Sequence, residues 1–277
     1  MGGGAMKIAQ IQMPVSADKT ANIQRACNMV RWSGTVDIAV LPEMFCCPYD
    51  NALFRDYAEE EGGEAWQAMS ALAKEKGIYL VGGSIPELWE GKLYNTCYVF
   101  DPEGKCIARH RKTHLFDIDV EGGQSFRESA VFAAGSDVTT FDTPWGVMGV
   151  CVCFDFRFEE LARLMALRGA KVMFVPAAFN MTTGPAHWEL LFRQRAVDNQ
   201  CYTVGTAPAR DNVASYTAWG HSIVCEPWGG VVKQCNEQPQ VSVTELDMQR
   251  VDDIRRQLPI LSARREDLYE VREKELC

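Results

Sequence analysis

Short apolar runs alternate with amphipathic helical stretches and with hairpin turn signals along almost the whole of this 277-residue chain. Residues 7–12, 38–41, 79–83, 172–175 and 202–206 read as strands, while 18–32, 64–76, 158–168 and 188–198 carry apolar residues at helical spacing. Between them, 95–100 with 106–109, 138–141 with 147–151, and 222–225 with 231–234 read as strand pairs. Their turns are Asp101-Pro102-Glu103-Gly104, Asp142-Thr143-Pro144-Trp145-Gly146 and Pro227-Trp228-Gly229-Gly230. A mixture of βα units and hairpins implies an α/β fold with mixed sheets and helices over their outer faces. No linker, low-complexity tract or charge run divides the chain, so residues 6–277 are expected to form a single domain. Met1-Gly2-Gly3-Gly4-Ala5 reads as tag residues ahead of Met6.

Charge and cysteine content exclude several classes. A net charge of -9 leaves no basic footprint for nucleic acid. No apolar stretch approaches the length of a bilayer span, and residues 7–13 are too short and too polar for the core of a signal peptide. Eleven cysteines without such a signal argue for reduced thiols and a cytoplasmic protein. Cys46-Cys47 and Cys151-Val152-Cys153 lack the spacing of a structural zinc site, and the four histidines are scattered, so no metal is expected.

Cys153 differs from the other cysteines in its surroundings. It lies where the apolar run Gly149-Val150-Cys151-Val152 gives way to a helical pattern containing Glu159, Glu160, Leu161, Leu164 and Met165. A thiol at such a junction meets helix N-terminal N–H groups, which favour thiolate and hence a nucleophile. Cys151, inside the apolar strand, reads as core. Two further ionisable residues follow strand ends: Glu43 after Val40-Leu41-Pro42, and Lys112 after 107–109. Open α/β sheets gather ligands at the carboxyl ends of their strands, so a thiol nucleophile, a carboxylate base and an ammonium oxyanion donor could converge for acyl transfer. A faint echo of Val40-Leu41-Pro42-Glu43-Met44-Phe45 in Phe174-Val175-Pro176-Ala177-Ala178-Phe179 suggests two strands delivering their ends to one rim. Spacing alone leaves the alternative that Glu43 and Lys112 are solvated surface groups.

These segments resemble the nitrilase superfamily of carbon–nitrogen hydrolases. The resemblance runs from Lys7 to about Tyr269, with LPEMF around Glu43, RKTHLFDID around Lys112 and CVCFDFRFEEL around Cys153. It is nearest the ω-amidase branch, through FNMTTGPAHWELL at 179–191, RAVDNQ at 195–200, PARD at 208–211 and SYTAWGHS at 215–222. The chain departs from the usual pattern at Cys151, where a small residue is more common, and at Phe154, where tyrosine is frequent.

The resemblance implies a four-layer α-β-β-α sandwich that assembles as homodimers or larger homo-oligomers, and a Glu43–Lys112–Cys153 triad working without a cofactor. It further implies a thioester intermediate, an oxyanion held by Lys112 and the Phe154 backbone N–H, and a second glutamate, Glu128, orienting the lysine. The substrate would be a dicarboxylic monoamide such as α-ketoglutaramate or α-ketosuccinamate, its free carboxylate anchored by Arg157 with help from Thr183. Tyr49 and His187 are further pocket candidates, although His187 reads as a structural histidine packed under Trp188 rather than as a base, since Glu43 already fills that role. For Glu128 the competing reading is an exposed loop carboxylate, and for Arg157 a surface salt bridge to Glu160. Competing functions are an amidase of another branch acting on N-carbamoyl amines or other small amides, and a catalytically silent interaction protein of the same fold.

Overall fold

Side-chain alternation along one strand explains how the layers stack. A computed structural model describes residues 4–274, and its first strand is Ala5–Gln12. Met6 and Ile8 enter one apolar core, Ala9 and Ile11 a second one on the opposite face. Helices Lys19–Trp32 and Glu64–Lys76 close the second core with Ile23, Ala26, Val30, Met69 and Leu72. The first core is shared with another sheet, whose far side is covered by helices Glu159–Leu167 and Gly184–Asn199. The result is an α-β-β-α sandwich, as the family resemblance implied.

The first sheet runs Gln240–Asp247, Ala5–Gln12, Ile38–Val40, Tyr79–Val81, Lys92–Phe100 and Ile85–Trp89, with Cys106–Arg111 also pairing to Lys92–Phe100. The second runs Val231–Gln234, Ile223–Cys225, Tyr202–Thr206, Val172–Pro176, Gly146–Val150 and Thr139–Thr143. Both are mixed: Ala5–Gln12 pairs parallel to Ile38–Val40, but antiparallel to Gln240–Asp247. Between the sheets lie two buried amides. The Gln10 side chain donates to the Gly205 carbonyl at 2.7 Å, and that of Gln12 to Asn236 and Gln238 at 2.6 and 2.8 Å.

Several boundaries differ from the expected ones for local reasons. Ala5 pairs with Asp247, so the first strand begins inside the segment set aside as a tag; Met1–Gly3 lie outside the described residues. The helix expected to start at Trp188 starts at Gly184, because Pro185 occupies its first turn, where a missing N–H is harmless. Strand Ile85–Trp89 carries Pro86, which obscures its pattern but is tolerated at the sheet edge. No helix among the described residues is long and apolar enough to cross a membrane.

Candidate active site

Both sheets send chain ends to one rim. From the first, Ile38–Val40 leads into Leu41-Pro42-Glu43, and Cys106–Arg111 leads directly into Lys112. From the second, Gly146–Val150 leads into the short 3-10 turn Cys153–Arg157, and Val172–Pro176 leads into Ala178. The Pro42-Glu43 corner is fixed by Gly83. Its φ is +62°, and a Cβ there would lie 2.2 Å from the Pro42 carbonyl oxygen, so no other residue lets the two chains approach so closely.

Glu43, Lys112 and Glu128 form one buried charge cluster, none of them more than 1% exposed. The Lys112 ammonium lies 2.9 Å from Glu43 Oε1 and 2.8 Å from Glu128 Oε2. Asn95 bridges the two carboxylates, donating to Glu43 Oε1 at 2.9 Å and Glu128 Oε1 at 3.0 Å. The Phe116 N–H supplies Glu128 Oε2, and the Tyr49 hydroxyl donates to Glu43 Oε1 at 3.3 Å. Burial works against the lysine charge, but Glu128 and Glu43 outweigh it and hold the ammonium pKa well above its ordinary value. Burial also raises the Glu128 carboxyl, which Lys112 only partly offsets. Glu128 is therefore a buried partner of Lys112 and not the exposed loop carboxylate of the competing reading.

Cys153 has φ +49°, a left-handed conformation that costs a non-glycine residue energy and turns its side chain sharply out of the strand direction. The expected thiolate is not what its environment favours. Burial and the nearby Glu43 carboxylate push the thiol well above its ordinary pKa, against the pull of Lys112 and a hydrogen bond from the Ala178 backbone. The turn it opens is too short, and the carboxylate too close, for N-terminal N–H groups to dominate. The resting group is a thiol beside the Glu43 carboxylate. Cys151 is fully buried, as its position in the apolar run implied.

Asp155 fixes that turn. Its carboxylate accepts from the Val152 N–H at 3.1 Å, from the Thr113 hydroxyl at 2.6 Å, and from the backbone N–H groups of Thr113 and His114 at 3.1 and 2.7 Å. The rings of His110 and His114 each approach it at 2.9 Å. Burial opposes its charge, yet these partners hold its pKa well below the usual carboxylate range. One side chain thus ties the turn bearing Cys153 to the segment bearing Lys112.

Beside Cys153 is a narrow cavity lined by Phe116, Phe154, Arg157, Phe179, Thr183 and Tyr216, among others. Arg157 lies over the Phe179 and Phe154 rings, and among the described residues it has no carboxylate partner, Glu160 included. Burial lowers its pKa, but guanidinium remains charged. The Thr183 hydroxyl donates to Asn180 Oδ1 at 3.0 Å. His187 is exposed and touches Arg157 Nη1 through Nδ1 at 3.1 Å. Trp188 packs instead on Phe179 and Phe192, so the histidine neither sits under it nor lines the cavity. Tyr49 also stays out of this cavity, stacking on Tyr216 with ring centroids 4.4 Å apart.

A family model described as carbon–nitrogen hydrolase matches residues 7–256. The chain belongs to that family. It is 50% identical over 270 residues to "Omega-amidase NIT2" of Mus musculus, covering 97% of this chain and 98% of the mouse protein. To the Homo sapiens protein of the same name it is 48% identical over 272 residues, covering 98% and 99%. Among solved structures, Saccharomyces cerevisiae Nit3, a member of branch 10 of the nitrilase superfamily, superposes with a TM-score of 0.87 at 40% identity. That match covers 95% of this chain and 96% of Nit3. The C. elegans NitFhit protein superposes with a TM-score of 0.89 at 34% identity, covering 99% of this chain and 68% of that one. This carbon–nitrogen hydrolase is accordingly an amidase-type enzyme.

Three residues of the hydrolase site were missed in the sequence. Asn95 lies mid-strand with nothing to distinguish it from a turn-proximal polar residue. Tyr216 sits in a loop whose proximity to Cys153 only the fold creates. Asp155 had a signal, since a carboxylate two residues after a strained nucleophile turn is placed to cap it.

Proposed function

We propose that this hydrolase is an ω-amidase that releases ammonia from a dicarboxylic acid monoamide, α-ketoglutaramate or α-ketosuccinamate, through a Cys153 thioester. One observation carries the substrate class: a half-buried arginine with no acidic partner among the described residues lines the same small cavity as the thiol. A desolvated guanidinium facing a cavity favours a ligand carboxylate, which it can hold bidentately. The names and extent of the NIT2 relatives support the same reading.

The amide carbonyl enters between Cys153 and Lys112 with its distal carboxylate on Arg157, and Thr183 beside it. Glu43 takes the thiol proton as sulfur bonds to the carbonyl carbon. The oxyanion is held by Lys112 and the Phe154 N–H, and Glu128 and Asn95 keep the ammonium aimed. Glu43 passes its proton to the amide nitrogen, the C–N bond breaks and ammonia leaves. Water then gives a proton to Glu43 and its oxygen to the acyl carbon; the C–S bond breaks and sulfur recovers the proton. Because Cys153 rests as a thiol, Glu43 must be ionised for the first step. The reading carries with it a homodimer or larger homo-oligomer, to be measured by light scattering, and a cytoplasmic compartment, in keeping with ten described cysteines that are all free.

The test is ammonia release from α-ketoglutaramate, succinamate, an N-carbamoyl amine and a neutral amide of equal length. Arg157→Ala should lower kcat/KM on the carboxylate-bearing substrates about ten- to a hundredfold, the worth of a charge-assisted hydrogen bond, and leave the neutral amide nearly unchanged. Arg157→Lys should recover only part of the loss, lacking the fork. Equal losses on charged and neutral amides would remove the carboxylate-anchor role.

A further inference from the structure

A second cavity, roomier than the one beside Cys153, reaches Glu43 but not Cys153. It shares only Ala178 and Tyr216 with the Cys153 cavity, and the Tyr49–Tyr216 stack stands at the boundary. Its floor includes Glu43 and Cys47, and its wall Ala209, while the exposed residues Asp211, Ala214 and Ser215 open its mouth to solvent. Glu43 is 1% exposed. Its Oε1 is taken up by Lys112, Asn95 and Tyr49, and the Cys153 thiol is a further partner of the same carboxylate, one that is lost once sulfur carries an acyl group.

Hydrolysis of the thioester requires a water at Glu43 at a time when the route past Cys153 is blocked. The cavity beside Cys153 is too narrow to hold free water alongside a bound acyl chain. Once the acyl group is bonded to Cys153 with its carboxylate on Arg157, that cavity is full. The hydrolytic water must still reach Glu43, and the ammonia formed there must depart. We propose that the second cavity is a solvent port, admitting water to Glu43 and releasing ammonia while the acyl group occupies the cavity beside Cys153. The port rests on the thioester reading above. At its inner end, water loses a proton to Glu43 as its oxygen bonds to the acyl carbon, the C–S bond breaks, and the proton returns to sulfur. The polar mouth and the small side chains of the wall suit a small neutral traffic of water and ammonia.

Two variants narrow the port at different depths: Ala209→Leu within it, and Ala214→Trp at the exposed mouth, where folding is not at stake. Rapid-quench kinetics on α-ketoglutaramate should give a first equivalent of ammonia at close to the wild-type rate. A steady state about tenfold slower should follow, with the acyl-enzyme accumulating in intact-mass spectra, since burst kinetics separate the two chemical steps. Equal slowing of burst and steady state, or wild-type turnover in both variants, would overturn the port. If Ala209→Leu does not fold, Ala214→Trp alone decides. Failure of the thioester reading is seen separately, as wild-type enzyme that releases ammonia without a trappable acyl adduct.

Discussion

Replacing Lys112 by glutamine should destabilise the protein as well as silence it, in a way that depends on pH. The ammonium touches two carboxylates at 2.9 and 2.8 Å in a place without solvent, so the cluster carries one net negative charge. Without the lysine it would carry two, bridged only by the Asn95 amide. Removing one partner of a buried ion pair costs about 3–5 kcal/mol. In a chain somewhat longer than 250 residues that corresponds to a loss of roughly 10 °C in Tm. The carboxylates can escape by binding a proton. Lys112 is the main influence holding the already raised Glu128 carboxyl down, so its removal lifts that pKa further. A carboxyl whose folded pKa is raised contributes stability below its unfolded value and loses it as pH rises through the folded value. The deficit of Lys112→Gln should therefore be largest at neutral and alkaline pH. It should shrink as pH falls toward the ordinary glutamate value of about 4.3. Thermal unfolding across that range measures it, and adding Glu128→Gln should restore much of the loss at neutral pH by removing the second negative charge. A Lys112→Gln protein with wild-type Tm at pH 8, or with the same deficit at every pH, would refute the shared counter-ion.

Three other outcomes are expected. Cys153→Ala should abolish ammonia release with the far-UV spectrum unchanged, while Cys151→Ala should keep most activity and lose about 1 kcal/mol in denaturant unfolding; the reverse pattern would exchange their roles. Asp155→Asn leaves buried donors unpaired, each worth about 1–3 kcal/mol, so stability and kcat should both fall. Asp155 has a depressed folded pKa and so stabilises above its unfolded value; the wild-type advantage in unfolding free energy should persist above about pH 4 and fade below it. Gly83→Ala combines a left-handed backbone, about 1–2 kcal/mol, with a Cβ driven into the Pro42 carbonyl, and should cut activity by displacing Glu43 while lowering Tm by several degrees; unaltered turnover would show that the corner does not position the base.

Much of this was readable in the chain because local signals agreed with the global fold. The helix read over 64–76 ends there because Gly77 takes a left-handed conformation, and Asp18 caps the first helix through the Ala21 N–H. The echo between 40–45 and 174–179 corresponds to two strands whose ends meet at the rim, where Ala178 borders both cavities. What could not be read were long-range relations. Strand Gln240–Asp247 has only one strongly buried face, and its partner is the first strand, more than two hundred residues earlier. Thiolate stabilisation was misjudged at Cys153 because a helix start is local, whereas the burial and the Glu43 carboxylate that oppose it come from distant segments. His187 was placed under Trp188 by adjacency alone, and the helix turns it outward.

Gln10 and Gln12 have a consequence for how the enzyme keeps its geometry. Glu43, Lys112 and Glu128 belong to one slab of the sandwich, whereas Cys153, Arg157 and Thr183 belong to the other. An interface greased only by methyl groups is a slip plane, indifferent to a small sliding of one slab over its neighbour. Amides that demand particular carbonyls, Gly205 and Ile223 for Gln10 and Asn236 for Gln12, act as dowels across that plane. Leucine at both positions would leave the slabs adherent but unpinned. The damage would then surface far from the substitutions, as a blurred distance between sulfur and base.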